Sequence, residues 1–175
     1  MKYFLYSAIV GAGLWIFSEF LEMDSLHGST PLSLWITTFW HPIIALGFWG
    51  LHLAQSPHKN TLSLVGTILL IVSFIGFTPV SLMILNSPVQ TFSAFLNQNP
   101  GFQIFGICSL LGYILFGISV IKTKYYPFWT GHILILSIFL SAIQSMAELA
   151  EIWQHISFIC LSCVVIFMSV FGLEN

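Results

Sequence analysis

Arginine is absent from the 175 residues, and the only basic side chains besides histidine are Lys2, Lys59, Lys122 and Lys124. Nucleic-acid binding, which needs a clustered basic face, is therefore excluded. Charge of either sign is scarce, with 6% of residues charged where a soluble globular domain has roughly 25%. With a mean hydropathy of +0.95, such a chain is made to live in lipid. Cysteine is sparse too: Cys108, Cys160 and Cys163 all lie inside apolar runs, which rules out a disulfide framework and an exposed zinc motif. Between His132 and Phe171 there is neither glycine nor proline. One helix of that length would measure about 60 Å at 1.5 Å per residue, twice the hydrocarbon thickness, so the chain must turn near Glu148 to His155.

What the chain does contain is apolar length enough for about six spans of about 20 residues with short connections. The expected fold is all-α: one polytopic membrane bundle of six transmembrane helices in a single domain over 1–175, spanning at about 3–21, 34–54, 61–85, 102–121, 127–147 and 152–172. The first run follows Lys2 but ends in Ser18-Glu19-Phe20-Leu21-Glu22 with no small-x-small cleavage site, so it reads as an uncleaved span. Pro42 and Pro79 lie inside spans two and three and should kink them. Val89, Phe92, Phe95 and Leu96 recur at helical spacing, which predicts a short interfacial helix over 89–97. With six spans every lysine falls on one side. The positive-inside rule assigns that side, and both termini, to the cytoplasm of a bacterial inner membrane. The lipid bilayer is the expected partner, with a homo-oligomer or a larger membrane complex open beside it.

Polar residues are few enough to read singly. Ser137, Ser141, Gln144, Glu148, Glu151 and His155 alternate in steps of four and three, a single helix face if the helix were unbroken. A polar stripe in lipid must face protein or water. The turn near Glu148 to Glu151 leaves Ser137, Ser141, Gln144 and Glu148 securely collinear. Glu19 and Glu22 end span one at the same outward side, three residues apart like Glu148 and Glu151. Carboxylates with imidazole are ligands for a divalent cation, although the Glu-x-x-His spacing of diiron bundles is not met, since Glu151 and His155 are four apart. The expected pocket comprises Glu19, Glu22, His41, Ser141, Gln144, Glu148, Glu151 and His155, the alternative being acids that simply mark hydrated helix ends.

Histidine allows a second reading. His41 and His52 are eleven residues apart, which returns a helix to nearly the same face about 16 Å further along, the spacing of two stacked haems. Their partners would be His155 on the outer side and His132 on the inner side. The inner pair matches in depth and the outer pair does not. Cys160-Leu161-Ser162-Cys163 has thiol-oxidoreductase spacing, but at mid-bilayer depth it reads as packing. Trp35, Trp40, Trp49, Trp129 and Trp153 suit interfacial positions.

Trp40-His41-Pro42, Gly50-Leu51-His52, Leu64-Val65-Gly66, the glycine-bearing stretch Gly112 to Gly117 and Pro127-Phe128-Trp129-Thr130-Gly131 carry a resemblance over about Leu34 to Ile143. They resemble a diffuse group of uncharacterised bacterial multi-span integral membrane proteins. That resemblance implies an integral membrane protein and no particular activity, and it leaves out the outer acids. Three functions stand as expectations: cation or small-solute binding, with transport open, at the outward Glu/His pocket; a b-type haem electron carrier; and a structural or accessory subunit of a membrane complex. None of them requires an enzyme.

Overall fold

The computed structural model describes residues 1–23, 30–55, 60–86, 92–147 and 152–174, with the side chains of 92–94, 144–147 and 152 left aside. Helices α1 (Lys2–Met23), α2 (Pro31–Gln55), α3 (Thr61–Leu85), α4 (Phe92–Gln98), α5 (Gln103–Thr123), α6 (Phe128–Ala147) and α7 (Ile152–Glu174) follow one another, with a 3-10 turn at Pro100–Phe102. No strand occurs among the described residues. Five helices are long and apolar enough to cross a membrane: α1, α2, α3, α5 with its preceding turn, and α7. Beside them, α6 is a 20-residue helix that is apolar over its described stretch Phe128–Ile143. The turn expected at Glu148 to Glu151 lies outside the described residues.

Local chemistry sets the helix ends. Thr30 caps α2, its Oγ1 accepting from the Ser33 amide at 3.1 Å, and Pro31 takes the first-turn position where a missing N–H costs nothing. The second span therefore starts three residues before the apolar pattern does. Asn60 caps α3 by accepting from the Leu62 amide. Lys124 ends α5 in the left-handed region at φ 54. Both α2 and α3 run on through Pro42 and Pro79. The short α4 is more than an interfacial float, because its Phe95 is buried with Leu34, Val80 and Ile84.

The long helices form a closed ring in the order α1, α2, α3, α5, α6, α7, with α7 packed back on α1. Partner residues run in opposite order in each pair where two contacts fix direction: Gly11 with Ile44 and Gly50 with Phe4, Trp40 with Phe74 and His52 with Ser63, Leu5 with Gly172 and Glu19 with His155. Neighbours are therefore antiparallel. Small residues set the approach. A Cβ on Gly11 would sit 2.8 Å from the Ile44 nitrogen, and one on Gly47 would overlap the Ala8 backbone. Without a hydrophobic drive between helices in lipid, such close approach supplies the packing.

The centre of the ring is aromatic. Phe48 lies between Phe74 (5.8 Å, stacked), Tyr113 (5.6 Å) and Phe116 (5.6 Å), and Leu70 is fully buried beside them. At the end bearing Lys2, Lys122 and Lys124, Tyr126 is buried against Phe171 and Tyr125. Burial, and then the neighbouring Tyr125, push its phenol pKa up, so it stays neutral. The outside is apolar, with Leu32, Phe39, Ile68, Ile107, Leu136 and Phe167 among its exposed residues. Cys160 and Cys163 face outward, which corrects their expected role in packing between helices.

The Gly47 contact predicts that Gly47→Val lowers stability by about 1–3 kcal/mol or prevents folding. Gly13, where a methyl group would meet nothing within 4 Å, should accept alanine with a gain of about 0.5–1 kcal/mol. Thermal melts of the detergent-solubilised variants check both, and equal effects would contradict the packing described.

Candidate functional site at the acidic end

Trp15, Ser18, Glu19 and Glu22 lie within two turns of α1, and Trp15 and Glu19, four apart, share its inner face. The Trp15 indole N–H donates to Glu19 Oε1 at 2.8 Å, while Ser18 Oγ donates to the Trp15 carbonyl at 2.8 Å. From α7, His155 Nδ1 lies 2.5 Å from Glu19 Oε2. This is a hydrogen bond while the imidazole is neutral and an ion pair once it is protonated. Glu19 is 7% exposed, so its oxygens are met by donors of the protein and hardly by water. Glu22 joins from the next turn. One ligand atom from each of Glu19, Glu22 and His155 lies within 4.8 Å of the others.

A wall of rings orients this cluster. Trp15 stacks on Trp40 with centroids 4.6 Å apart and planes 9° apart, meets Phe74 edge-on at 6.1 Å and Phe158 at 5.4 Å. Rings from three other helices thus fix the indole that fixes Glu19. Trp40 belongs to this stack at 5% exposure, which corrects its expected interfacial place. Trp35, Trp129 and Trp153 are exposed.

The expected pocket is only partly assembled. Glu19, Glu22 and His155 converge, and Ser141 is buried on α6. His41 is buried among Trp40 (4.1 Å), Phe74 and Phe77, so it adjoins the cluster through the Trp40–Trp15 stack and shares no ligand position with it. Gln144 is placed by its backbone in α6, but its side chain, like the whole of Glu148 and Glu151, lies outside the described residues. The haem arrangement needs two facing histidine pairs, and the four rings turn to four different neighbours. His52 Nδ1 pairs with Ser63 Oγ at 2.9 Å, and exposed His132 bonds the Phe128 carbonyl of its own helix at 3.0 Å. His41 is boxed by aromatics and His155 is engaged by Glu19.

Trp15 is the member of this cluster that pattern reading missed. The signal was present, since a tryptophan four residues before an intramembrane glutamate can donate to it. Comparisons with protein-family models, with curated proteins and with solved structures each find no match to this chain.

The Glu19–His155 bond predicts non-additivity. Glu19→Ala strands two donors, and His155→Ala strands one acceptor. The double variant should cost less than the sum of the single ones by about 0.5–3 kcal/mol in a melting cycle. Strict additivity would show that the two residues do not interact.

Proposed function

We propose that the chain is a six-span bundle of a bacterial inner membrane, with both termini cytoplasmic, that binds a divalent cation at its outward end between Glu19, Glu22 and His155. The observation that carries the reading is the convergence of two carboxylates and an imidazole from opposite ends of the chain on one spot. Each feature has a chemical reason. Two oxygen donors and one nitrogen donor suit a borderline ion such as Zn2+, or Mn2+ among the harder ions that mixed Glu/His bundle sites hold, better than the all-oxygen preference of Ca2+ or Mg2+. Two metal–ligand bonds of about 2 Å span about 4 Å, so small side-chain rotations bring ligand atoms within 4.8 Å of one another onto one ion.

Binding replaces the bond between His155 and Glu19. Both groups must be unprotonated to ligate, so uptake of the ion releases any proton they share, and lowering the pH opposes it. Trp15 keeps its hold on Glu19 Oε1 and preserves the carboxylate orientation. We read the site as a binding site, with transport open: Trp15, Trp40, Phe74 and Phe48 fill the interior directly beneath it. The six-span reading draws support from the antiparallel packing of α7 on α1, which needs an even number of crossings, and from Lys2, Lys122 and Lys124 lying at one end.

Zn2+ or Mn2+ at about 100 times its Kd should stabilise the wild-type protein by about 2.7 kcal/mol. Glu19→Gln and His155→Ala should each remove that gain, and acidification should weaken it. A wild-type melting temperature that neither ion moves would refute the site. Reporter fusions at both termini should read out on the same face of the membrane, and opposite faces would refute the six-span topology.

A further inference from the structure

Where α3 ends, at the acidic end of the ring, the short helix α4 lies against its last turns and leaves a groove of about 550 Å3 lined by Pro79, Leu82, Met83, Asn86, Phe95 and Asn99. That volume falls within the roughly 300–1,000 Å3 of small-molecule sites. Its wall is fixed, because Phe95 is buried with Leu34, Val80 and Ile84. Leu82, Met83 and Asn86 are exposed, so the groove opens on the outside of the bundle. A second groove, of about 380 Å3 along Phe102 and Phe105, shares Asn99 with the first.

Polarity is graded along the first groove. Pro79, Leu82 and Met83 are apolar, and the carboxamides of Asn86 and Asn99 stand at its end, Asn86 being the C-cap of α3. From Pro79 to Asn86 the helix rises about 10 Å, so the surface passes from hydrocarbon-like to polar over the depth at which a lipid does the same. The two carboxamides also have a fixed sense. Asn86 Nδ2 donates to the Leu82 carbonyl at 2.9 Å and Asn99 Nδ2 to the Phe95 carbonyl at 3.0 Å. A backbone carbonyl can only accept, so each amide nitrogen faces its own helix and each side-chain oxygen is turned away from it as an acceptor.

These features select an occupant. Two apolar grooves that meet at one polar residue match a molecule with two chains and one headgroup. Acceptors at the rim call for a headgroup that donates hydrogen bonds. No charged side chain lines either groove among the described residues, and Lys2, Lys122 and Lys124 lie at the other end, so nothing there balances a net negative headgroup. We propose that the grooves flanking Asn99 hold one phosphatidylethanolamine molecule, its chains along Leu82 and Phe105 and its ammonium donating to the Asn86 and Asn99 oxygens. Phosphatidylcholine, with the same chains and a quaternary nitrogen, has no N–H to give. The inference rests on the membrane-spanning fold and is independent of the cation site.

Melting of the full-length protein, delipidated in detergent and then supplied with dioleoyl phosphatidylethanolamine or dioleoyl phosphatidylcholine at equal mole fraction, tests it. At saturation the ethanolamine lipid should raise the melting temperature by about 5 °C more than the choline lipid. Equal shifts would overturn the proposal. The double variant Asn86→Ala, Asn99→Ala starts from a lower melting temperature, since each amide also bonds its own helix, but the difference between the two lipids should vanish. A difference that persists would place the lipid elsewhere and overturn the proposal as well. If the double variant fails to fold, Leu82→Trp, which keeps both amides and fills the groove, should abolish the same difference, and its persistence would count equally against the site.

Discussion

A carboxylate in a lipid-embedded helix must find its hydrogen-bond donors within the protein, and Glu19 finds them on two helices. One oxygen takes the Trp15 indole from its own helix and the other takes His155 from α7. Since α1 and α7 are the first and last helices, that second bond closes the ring. Contacts nearer the middle and the other end of these two helices are apolar or small, such as Leu5 with Gly172 and Trp15 with Phe158. Van der Waals packing sets their distance, and the directional bond sets their rotation about it.

Closure and chemistry use the same atoms. The geometry that seals α7 onto α1 also brings Glu22 within 4.8 Å of the pair. Occupancy by an ion would therefore replace one link between the terminal helices with another, coordinate in place of hydrogen-bonded. A site of this kind is felt by the whole bundle, because both helices that end the chain contribute ligands.

The class of fold was legible in the sequence because lipid is a severe selector: charge so scarce and apolar runs so long leave only helices. Helix ends were legible where a cap or proline marked them. Thr30-Pro31-x-Ser33 announced the start of α2, although the apolar pattern begins later, at Leu34. Glu19 stood out as a charge inside an apolar run. Its partner could not be chosen among several histidines, since spacing along one helix does not tell which helix closes the ring. Trp40 was misplaced for a related reason: a tryptophan near a span end suits the interface equally well until a second tryptophan stacks on it. Glu148 and Glu151 carried as strong a pattern as Glu19 and Glu22, yet they lie outside the described residues.

The aromatic layer at mid-height has an electrical consequence. Phe48, Phe74, Phe116 and Leu70 form its least polar slice, charged side chains lying toward either end and the Tyr113 phenol packing on Phe48 within it. A membrane potential falls most steeply where the medium is least polarisable, and a charge carried through all of it exchanges about 2.3 kcal/mol per 100 mV. An ion held at Glu19 stops short of that slice and crosses little of the field. Its retention would therefore depend weakly on voltage, whereas any charge driven past Phe74 and Phe48 would meet nearly the whole drop within a few ångströms.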